Sequence, residues 1–362
     1  MEVDYIIVGQ GLSGSFLSWK LVKAGKKVVV IDNASPNVAS KIASGVINPV
    51  TGRRIVSTWM IDNLLPYSFE AYTAFGADLN ATLISQKNIL DFHPTQQMQL
   101  AFKDKIPVEN NYLRCNEDEG ELKKYFNFNY GVGEINPSYL IDVSLLITEW
   151  RKHLVSKEIL IEDEFIVDDL TISDKDTNGG MLEGDEAVEY KGIEAKKIIF
   201  CDGAKGAENP FFKLLPYAKN KGEAVIAEID GLPRNNIYKH GLSLVPWKDN
   251  LWWIGSTYDW NFSDLNPTAI FRIKAEQTLQ HWVKLPYKVV GHLATERPAN
   301  LERRPFVGLH PLHNSIGILN GMGTKGCSLV PYFANELTAH LLNNAPINPL
   351  ADVQRFRKIL SR

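Results

Sequence analysis

The glycine pattern G-x-G-x-x-G at residues 9–14 constrains the fold of this chain more than any other feature. It follows a short apolar run, 5–8, that is long enough for a buried strand. In a strand–turn–helix unit the first glycine permits a tight turn, the second lets the backbone approach a pyrophosphate, and the third lets the helix pack on the strand. The helix amides then point at the phosphates, where the positive end of the helix dipole stabilises an anion. The predicted contacts in this turn are Gly9, Gly11, Leu12, Ser13 and Gly14.

A second apolar run, 27–31, follows the predicted helix and ends at Asp32. An acid about 20 residues after the glycines is placed to accept a hydrogen bond from a ribose hydroxyl. Because an acid here disfavours the 2′-phosphate of NADP, the pattern favours NAD or FAD. The alternative is a buried parallel-sheet unit with incidental glycines, which would leave the spacing and Asp32 as coincidences.

Size, charge and cysteine content narrow the class of protein. With 362 residues the chain is long enough for two domains. The net charge of -3 gives no electrostatic reason to expect nucleic-acid binding. The three cysteines are far apart and form no C-x-x-C pair, so neither a disulfide framework nor a metal site is expected. We expect a cytoplasmic protein without a signal peptide or membrane span; oligomeric state is left open.

Apolar periodicity divides the chain into an α/β part and a sheet-rich part. Helices are predicted over 59–80, 139–154 and 267–283. Strands are predicted over 159–161, 165–170, 197–201, 223–229, 242–246, 251–256 and 316–319, with several short strands within 82–113. A turn is predicted over 177–180, and a last helix is expected to carry Pro331 in its first turn. From residue 221 antiparallel strands dominate, which indicates a second domain.

Two later strands also end in turns rich in glycine, at 202–206 and at 321–326. A glycine turn before a helix can present backbone N–H groups to another part of a large cofactor. The irregular loop 43–54 ends in Arg53 and Arg54, which could form a second anion clamp or a solvated surface turn. Both interpretations stay open on the sequence alone.

These segments, in this order, resemble the FAD-dependent D-amino-acid oxidase superfamily, most of all glycine oxidase, sarcosine oxidase and the oxidase domain of a bifunctional tRNA-modifying enzyme. The likeness covers nearly the whole chain and is weakest over 60–135. It implies an α/β fold with a Rossmann-like FAD-binding domain of the glutathione-reductase type and a second, sheet-rich substrate domain. The implied FAD-binding domain comprises 1–75, 135–220 and 296–362, and the implied substrate domain comprises 76–134 and 221–295.

The resemblance also implies which residues bind FAD. Beyond the first turn and Asp32, it assigns Ala43, Ser44 and Gly45 to the isoalloxazine ring and Val167, on a strand, to the adenine. It assigns Asp202 and Gly203 to the turn after an apolar strand. The turn expected beside the flavin pyrimidine contributes Gly321, Gly323, Thr324, Lys325 and Gly326. No cysteine occupies the segment where sarcosine oxidases attach flavin covalently, so non-covalent FAD is expected.

Arg297-Pro298, followed by Pro305 and Gly308, matches the spacing in which the family's arginine binds the substrate carboxylate. A guanidinium fork can hold a carboxylate through two hydrogen bonds; the alternative is a structural ion pair with Glu296. Ser243 falls where glycine oxidase has a tyrosine near the substrate. Glu302 stands where the family usually has aspartate, and Met322 and Lys325 replace a common histidine and asparagine. For His240 and Tyr258, near the strands of the second domain, a packing or rim position is favoured over catalysis. Cys327 is expected to be a buried structural thiol.

The implied activity is oxidation of the C–N bond of a small amino acid or N-alkyl amino acid. A hydride passes from the substrate Cα–H to flavin N5, the imine hydrolyses, and oxygen or another acceptor reoxidises the flavin. Two alternatives remain: a tRNA-modification oxidase acting on a carboxymethylamino group, which the near-neutral charge disfavours, and a dinucleotide-binding protein without turnover. Substrate identity and chirality are not determined.

Overall fold

A computed structural model describes residues 1–52, 55–109, 111–174 and 186–362. Its α-helices are α1 Leu12–Lys23, α2 Ala39–Ile42, α3 Ile61–Leu79, α4 Gln96–Lys105, α5 Glu119–Leu122, α6 Val143–Ser156, α7 Ala269–Trp282, α8 Gly326–Asn343 and α9 Arg357–Leu360. Its strands are β1 Glu2–Val8, β2 Val28–Ile31, β3 Val46–Ile47, β4 Val50–Thr51, β5 Val56–Ser57, β6 Ile84–Gln86, β7 Ile89–Phe92, β8 Leu113–Cys115, β9 Val132–Ile135, β10 Tyr139–Ile141, β11 Leu160–Ile161, β12 Leu170–Asp174, β13 Glu186–Tyr190, β14 Ile193–Phe200, β15 Asn220–Ile229, β16 Ile237–His240, β17 Leu242–Pro246, β18 Trp252–Gly255, β19 Tyr287–Arg297, β20 Phe306–Leu309 and β21 Ile316–Asn320.

One eight-stranded sheet contains the predicted nucleotide-binding unit. Its parallel part runs in the order β11-β2-β1-β14-β21, with β20 antiparallel to β21 and the β12–β13 hairpin continuing from β14. Strands β1, β2 and β14 are largely buried, because one face of the sheet packs on α1, α6 and α8 and the other packs on residues 211–217 and on the C-terminal segment 353–360. The first glycine turn therefore leads from the centre of this sheet into α1, as the sequence predicts.

The second eight-stranded sheet has the order β19-β15-β18-β17-β16-β7-β9-β8 and is mostly antiparallel. One face packs on α7 through Val225, Leu244 and Trp252. The opposite face, here called the inner face, carries alternate residues of the same strands, including Ile226, Val245, Trp253 and Arg297. Period-two alternation thus separates a helix-covered face from a face that meets the first sheet.

The inner face is joined to the loop around α2 by two hydrogen bonds. The indole Nε1 of Trp253 donates to the carbonyl of Ile42 at 3.0 Å, in a buried position. The hydroxyl of Thr295 donates to the carbonyl of Asn37 at 2.8 Å. The second sheet therefore holds the segment 37–42, which leads directly into residues 43–45 that the resemblance assigns to the flavin. The assignment of whole domains to residue ranges stays a prediction.

Several element predictions are wrong. The predicted helix 139–154 begins only at Val143, because Tyr139–Ile141 forms β10 between β3 and β6 and Asp142 caps α6 through Leu145 N. The stretch 82–113 contains α4 as well as strands. The predicted strand 165–170 is instead a 3₁₀ turn over Val167–Asp169, and the strand begins at Leu170. The predicted turn 177–180 lies outside the described residues.

Pro331 lies in the second turn of α8 rather than in the first, because that helix begins at Gly326. Proline has no N–H to donate to the carbonyl four residues earlier. That carbonyl belongs to Cys327, and it accepts a hydrogen bond from the buried Tyr72 hydroxyl of α3 at 3.0 Å. Packing of α3 against α8 thus supplies the missing donor. Within the described residues, no helix combines the length and apolar character that crossing a bilayer requires.

Candidate active site

The first glycine turn is shaped by close backbone contacts. Gly9 has φ of 96°, and a Cβ there would lie 2.6 Å from the carbonyl oxygen of Cys201. A Cβ at Gly14 would lie 1.8 Å from the carbonyl oxygen of Gly9. Helix α1 begins after Gly11, which has no side chain that could cap it, and its first turn has no acidic residue. Its positive end is therefore free to stabilise a phosphate.

Asp32 lies at the end of β2, next to this turn. Its Oδ2 accepts from Gln10 N at 2.8 Å, and its Oδ1 accepts from Ala34 N at 2.9 Å and from Arg151 Nη1 at 2.8 Å. A carboxylate has about four acceptor positions, so one remains on Oδ2 for a ribose hydroxyl. Asp32 thus has an acceptor position left, and its contact with a ribose stays a prediction.

Ser40 of α2 closes over the start of α1. Its Oγ accepts from Leu12 N at 3.0 Å and would lie 3.2 Å from a Cβ at Gly11. The predicted contacts Leu12 and Ser13 are both in this first turn of α1. A side chain at Gly11 would press on the Ser40 hydroxyl. The glycine therefore lets Ser40 lie close to the backbone at the start of α1.

Asn320 connects the two later glycine turns. Its Nδ2 donates to Asp202 Oδ1 and to the carbonyl of Gly203, both at 2.8 Å, and its Oδ1 accepts from Gly321 N at 2.7 Å. Burial raises the pKa of Asp202 to about 6, against the opposing effect of hydrogen bonds from Asn209 and Asn320. One buried amide therefore fixes the turn after β14 relative to the turn after β21.

The turn after β21 leads directly into α8. Gly321 and Gly323 have φ of 74° and 57°, a left-handed conformation that favours glycine. A 3₁₀ turn over Gly323–Lys325 precedes the helix, which has no side-chain cap at Lys325 and no acid in its first turn. Thr324 and Lys325 are solvent-accessible. The N-termini of α1 and α8 thus both lack a cap from their own N-cap residue, although Ser40 accepts from Leu12 N, and the two helices pack on each other.

The loop that is predicted to lie along the isoalloxazine ring, residues 43–45, is held at both of its ends. Ala43 ends α2, and a Cβ at Gly45 (φ 83°) would lie 2.0 Å from the carbonyl oxygen of Ile141. Ser44, with Lys87, Asp142, Arg234 and Trp247, lines a neighbouring cavity of about 300 Å³. Ala43 lines this cavity as well, so the cavity adjoins the predicted flavin loop, whereas Arg297 and the glycine turns do not line it. Arg53 and Arg54 lie outside the described residues.

Arg297 ends β19 on the inner face of the second sheet. Its Nη1 donates to Asn220 Oδ1 at 2.6 Å and to the carbonyl of Thr257 at 3.0 Å, and its guanidinium lies 4.9 Å from the Tyr258 ring centroid. A Cβ at Gly222 would lie 1.8 Å from Nη2, so this glycine makes room for the guanidinium. Burial lowers the pKa of Arg297.

The alternative role considered for Arg297, a structural ion pair with Glu296, is wrong. Glu296 faces the opposite side of β19 and pairs with Lys219, with 3.3 Å between Nζ and Oε1. Within the described residues no carboxylate lies within 4.0 Å of the Arg297 guanidinium, and its Nε and Nη2 have no hydrogen-bond acceptor there. A partly buried cation is therefore oriented by two neutral acceptors and keeps two nitrogens for a ligand.

The other predicted substrate-side residues have different positions. Ser243 shares the inner face with Arg297, but β18 and β15 lie between their strands, about 14 Å across the sheet. The structure does not bring the two into contact, and a role for Ser243 stays a prediction. Tyr258 is 61% exposed and forms the rim beside Arg297. His240 stacks on Trp282, as expected of a packed residue.

Val167 and the cysteines complete the predicted set. Val167 is in a 3₁₀ turn and not in a strand, so the predicted strand contact to adenine is wrong in its geometry, and contact with the cofactor stays a prediction. Cys327 is buried, and burial raises its pKa to about 12, which confirms the structural thiol. Burial also raises the pKa of Cys201, while Cys115 is exposed.

Four polar residues of this region escape sequence reasoning: Gln10, Ser40, Arg151 and Asn320. Gln10 is within the glycine motif, yet the motif leaves that position unspecified. Ser40 is in an irregular segment, and Arg151 is on the polar side of α6. Each acts through a partner that is distant in the chain, so no local pattern marks it.

The chain matches the family described as FAD dependent oxidoreductase (DAO) over residues 4–340. It belongs to this family and is an FAD-dependent oxidoreductase. FAD fits the described residues: the N-termini of α1 and α8 have no acidic residue in their first turns and can receive phosphate or ring oxygens, and Asp32 retains an acceptor position.

Solved structures share the fold at low sequence identity. Glycine oxidase from Geobacillus kaustophilus superposes with a TM-score of 0.76 at 17% identity, covering 97% of this chain and 98% of that one. Iminodiacetate oxidase from Chelativorans sp. BNC1 superposes with a TM-score of 0.74 at 19% identity, covering 95% of this chain and 96% of that one. L-proline dehydrogenase from P. horikoshii superposes with a TM-score of 0.74 at 15% identity, covering 99% of this chain and 98% of that one.

A similarity to a curated protein extends over a short segment. The uncharacterized oxidoreductase YurR of Bacillus subtilis is 38% identical over 56 residues, which is 16% of this chain and 15% of that protein. This short match adds nothing about the substrate.

Proposed function

We propose that this protein oxidises the C–N bond of a small amino acid or N-alkyl amino acid whose carboxylate binds Arg297. The proposal is carried by one observation: a partly buried guanidinium with no carboxylate partner in the described residues and two unused nitrogens. An arginine in this state gains a charge-assisted, bidentate interaction when a carboxylate arrives. The names of the similar glycine, iminodiacetate and proline enzymes, all acting on amino-acid-like acids, support the same class.

FAD, when bound, supplies the two-electron redox capacity of the reaction. The chain's own residues bind and orient the substrate. Asn220 and Thr257 fix the guanidinium of Arg297, which holds the carboxylate and so limits how the amine-bearing carbon can be presented. Oxygen or another acceptor would then complete turnover.

The test is anaerobic mixing of the purified yellow protein with glycine, sarcosine, proline and D- and L-amino acids while the oxidised-flavin absorbance is followed. Bleaching by one class identifies the substrate group. Arg297→Ala should then raise the Kd of that acid at least 100-fold, about 3 kcal/mol for a lost charge-assisted pair. Arg272→Ala is a matched control, because Arg272 is an exposed α7 residue paired with Glu276. A yellow protein that no amine bleaches contradicts the proposal.

A further inference from the structure

The cavity of about 300 Å³ beside residues 43–45 is here called the loop cavity. Its volume is at the lower end of the range for small-molecule sites, so it suits a compact ligand. The glycine turns, Asp32 and Arg297 do not line it. The loop cavity is therefore separate from the phosphate and ribose part of the predicted FAD site and from the arginine of the proposed substrate site.

The charges that line the loop cavity are mostly positive. Three cations, Lys87, Arg234 and Lys248, face one carboxylate, Asp142. The whole chain, in contrast, has a net charge of -3. Asp142 is already engaged as the cap of α6, where its Oδ1 accepts from Leu145 N at 2.9 Å. An excess of positive charge in a concave site favours an anionic ligand.

The three cations have no acidic partner. None of them lies within 4.0 Å of a carboxylate in the part of the chain that the structure describes. Lys87 Nζ donates to the carbonyl of Arg234 at 2.7 Å, which leaves two of its three N–H groups. Desolvation, followed by repulsion from Arg234, lowers the pKa of Lys87. An anion bound beside these cations would stabilise their charged forms.

Arg234 sets the backbone positions of the other two cations. Its guanidinium donates to the carbonyls of Trp247 at 2.5 Å and Leu251 at 3.0 Å. These two bonds hold the turn between the two acceptors, and that turn carries Lys248. The carbonyl of Arg234 holds Lys87 at the same time. Neutral contacts thus assemble the cationic wall before a ligand arrives, which lowers the entropy cost of binding.

Hydroxyl groups supply neutral donors in the same cavity. None of them has a hydrogen-bond partner among the described residues; they belong to Ser44, Thr82, Ser85 and Ser144. A hydroxyl can donate to an oxyanion, and hydrogen bonds to charged oxygens are stronger than those between neutral groups. Ammonium groups and hydroxyls together match the oxygens of a phosphate or a carboxylate.

The wall of the loop cavity is bonded directly to the predicted flavin loop. Ala43 and Ser44 belong to both. Ile141, which also lines the cavity, donates from its N to the carbonyl of Gly45 at 2.9 Å. A Cβ at Gly45 would lie 2.0 Å from the Ile141 carbonyl oxygen, so the two segments are in close contact. Tightly packed segments transmit small shifts, and a ligand in the cavity should therefore change the surroundings of the flavin.

We propose that the loop cavity binds a small phosphate or carboxylate compound through Lys87 and Lys248, and that its occupancy alters the environment of the bound flavin. The anion is additional to the carboxylate that Arg297 is proposed to hold. The site therefore stands whichever amine the enzyme oxidises.

The experiment adds inorganic phosphate or malonate to the FAD-loaded protein while thermal unfolding and the visible flavin spectrum are followed. Sodium chloride at equal ionic strength is the control for charge screening. At least one probe should bind saturably with a Kd on the order of 1 mM, raise the unfolding midpoint by about 2 °C at about 20 mM, and shift the flavin bands. The tighter probe identifies the ligand as a phosphate or a carboxylate compound.

Matched variants locate the bound anion. Lys87→Gln should raise the Kd of the tighter probe about tenfold and Lys248→Gln about threefold, because each removes one positive charge. Lys248 is exposed in a turn, so its variant serves if Lys87→Gln does not fold. Two controls should leave the Kd within about twofold of wild type: Lys274→Gln, which changes an exposed lysine of α7, and Arg297→Ala.

Four outcomes would overturn the proposal. The first is a response to both probes no larger than the response to sodium chloride. The second is a Kd that Arg297→Ala raises and the two lysine variants leave unchanged, since the anion would then occupy the substrate site. The third is a loss of FAD affinity in Lys87→Gln and Lys248→Gln without a change in the Kd of the probe, which would assign both lysines to the cofactor. The fourth is saturable binding with an unchanged flavin spectrum, which would contradict the link to the flavin loop.

Discussion

Arg151 of α6 binds Asp32 and, with the same nitrogen, Gln10 of the first glycine turn. Its Nη1 lies 2.8 Å from Asp32 Oδ1 and 3.0 Å from Gln10 Oε1, while its Nε and Nη2 reach Glu162 at 3.0 and 2.8 Å. The Arg151 and Asp32 side chains are 18% and 20% exposed, so the pair is only partly screened by solvent. Arg151 therefore fixes the carboxylate that is left with one acceptor position for a ribose.

Arg151→Ala should weaken FAD binding without preventing folding. Loss of the guanidinium frees the Asp32 carboxylate to rotate, and we expect the Kd of FAD to rise about tenfold, or roughly 1.4 kcal/mol. The measurement is quenching of flavin fluorescence when apoprotein is added. Lys152→Ala is the control, since Lys152 is the next residue on α6 and forms an exposed pair with Glu149. An unchanged Kd in Arg151→Ala would show that Asp32 needs no such support.

Asp202 should make stability depend on pH in a defined direction. Its pKa is raised to about 6, so the folded state retains a proton that the unfolded chain releases near pH 4. The contribution of Asp202 to the free energy of unfolding is therefore largest at low pH and is lost as the pH rises through about 6. Between pH 4.5 and 7 the wild type should lose about 2 kcal/mol relative to Asp202→Asn, which cannot titrate. Urea unfolding of both proteins at the two pH values measures this difference, and a constant difference would contradict it.

Tyr72→Phe should destabilise the contact between α3 and α8. The Tyr72 hydroxyl donates a hydrogen bond to the Cys327 carbonyl, because Pro331 has no N–H that could do so. Removing the hydroxyl leaves this buried carbonyl without a donor. The expected decrease in the free energy of unfolding is about 1–2 kcal/mol. Urea unfolding is again suitable, with Tyr130→Phe as control because Tyr130 is 39% exposed. Equal midpoints for Tyr72→Phe and wild type would mean that another group satisfies this carbonyl.

Much of the fold could be predicted because its signals are local. The turn at Gly9 and the apolar runs that became β1, β2, β14 and β21 are each readable within a few residues. The prediction failed at Tyr139–Ile141, because the apolar spacing there suits a helix whereas the segment pairs with the distant strands β3 and β6. The cap at Asp142 was a readable sign of the true helix start.

The site is less predictable than the fold because its residues meet across the chain. The resemblance supplies Arg297, yet only the structure shows that Glu296 faces away from it. The stacking of Arg304 on Trp59 joins residues 245 positions apart, and no periodicity encodes it. Sequence patterns indicate the cofactor, whereas the charges around it emerge only from tertiary packing.

The central claim is that Arg297 holds the carboxylate of an amine substrate, and one measurement tests it most directly. Single-turnover flavin reduction would be followed with the best amino acid and with its uncharged amide, in wild type and in Arg297→Ala. We predict that wild type prefers the acid by at least 100-fold in the ratio of rate to Kd, and that Arg297→Ala reduces this preference to within a few-fold. An unchanged preference in Arg297→Ala would contradict the account, because the carboxylate would then be recognised elsewhere.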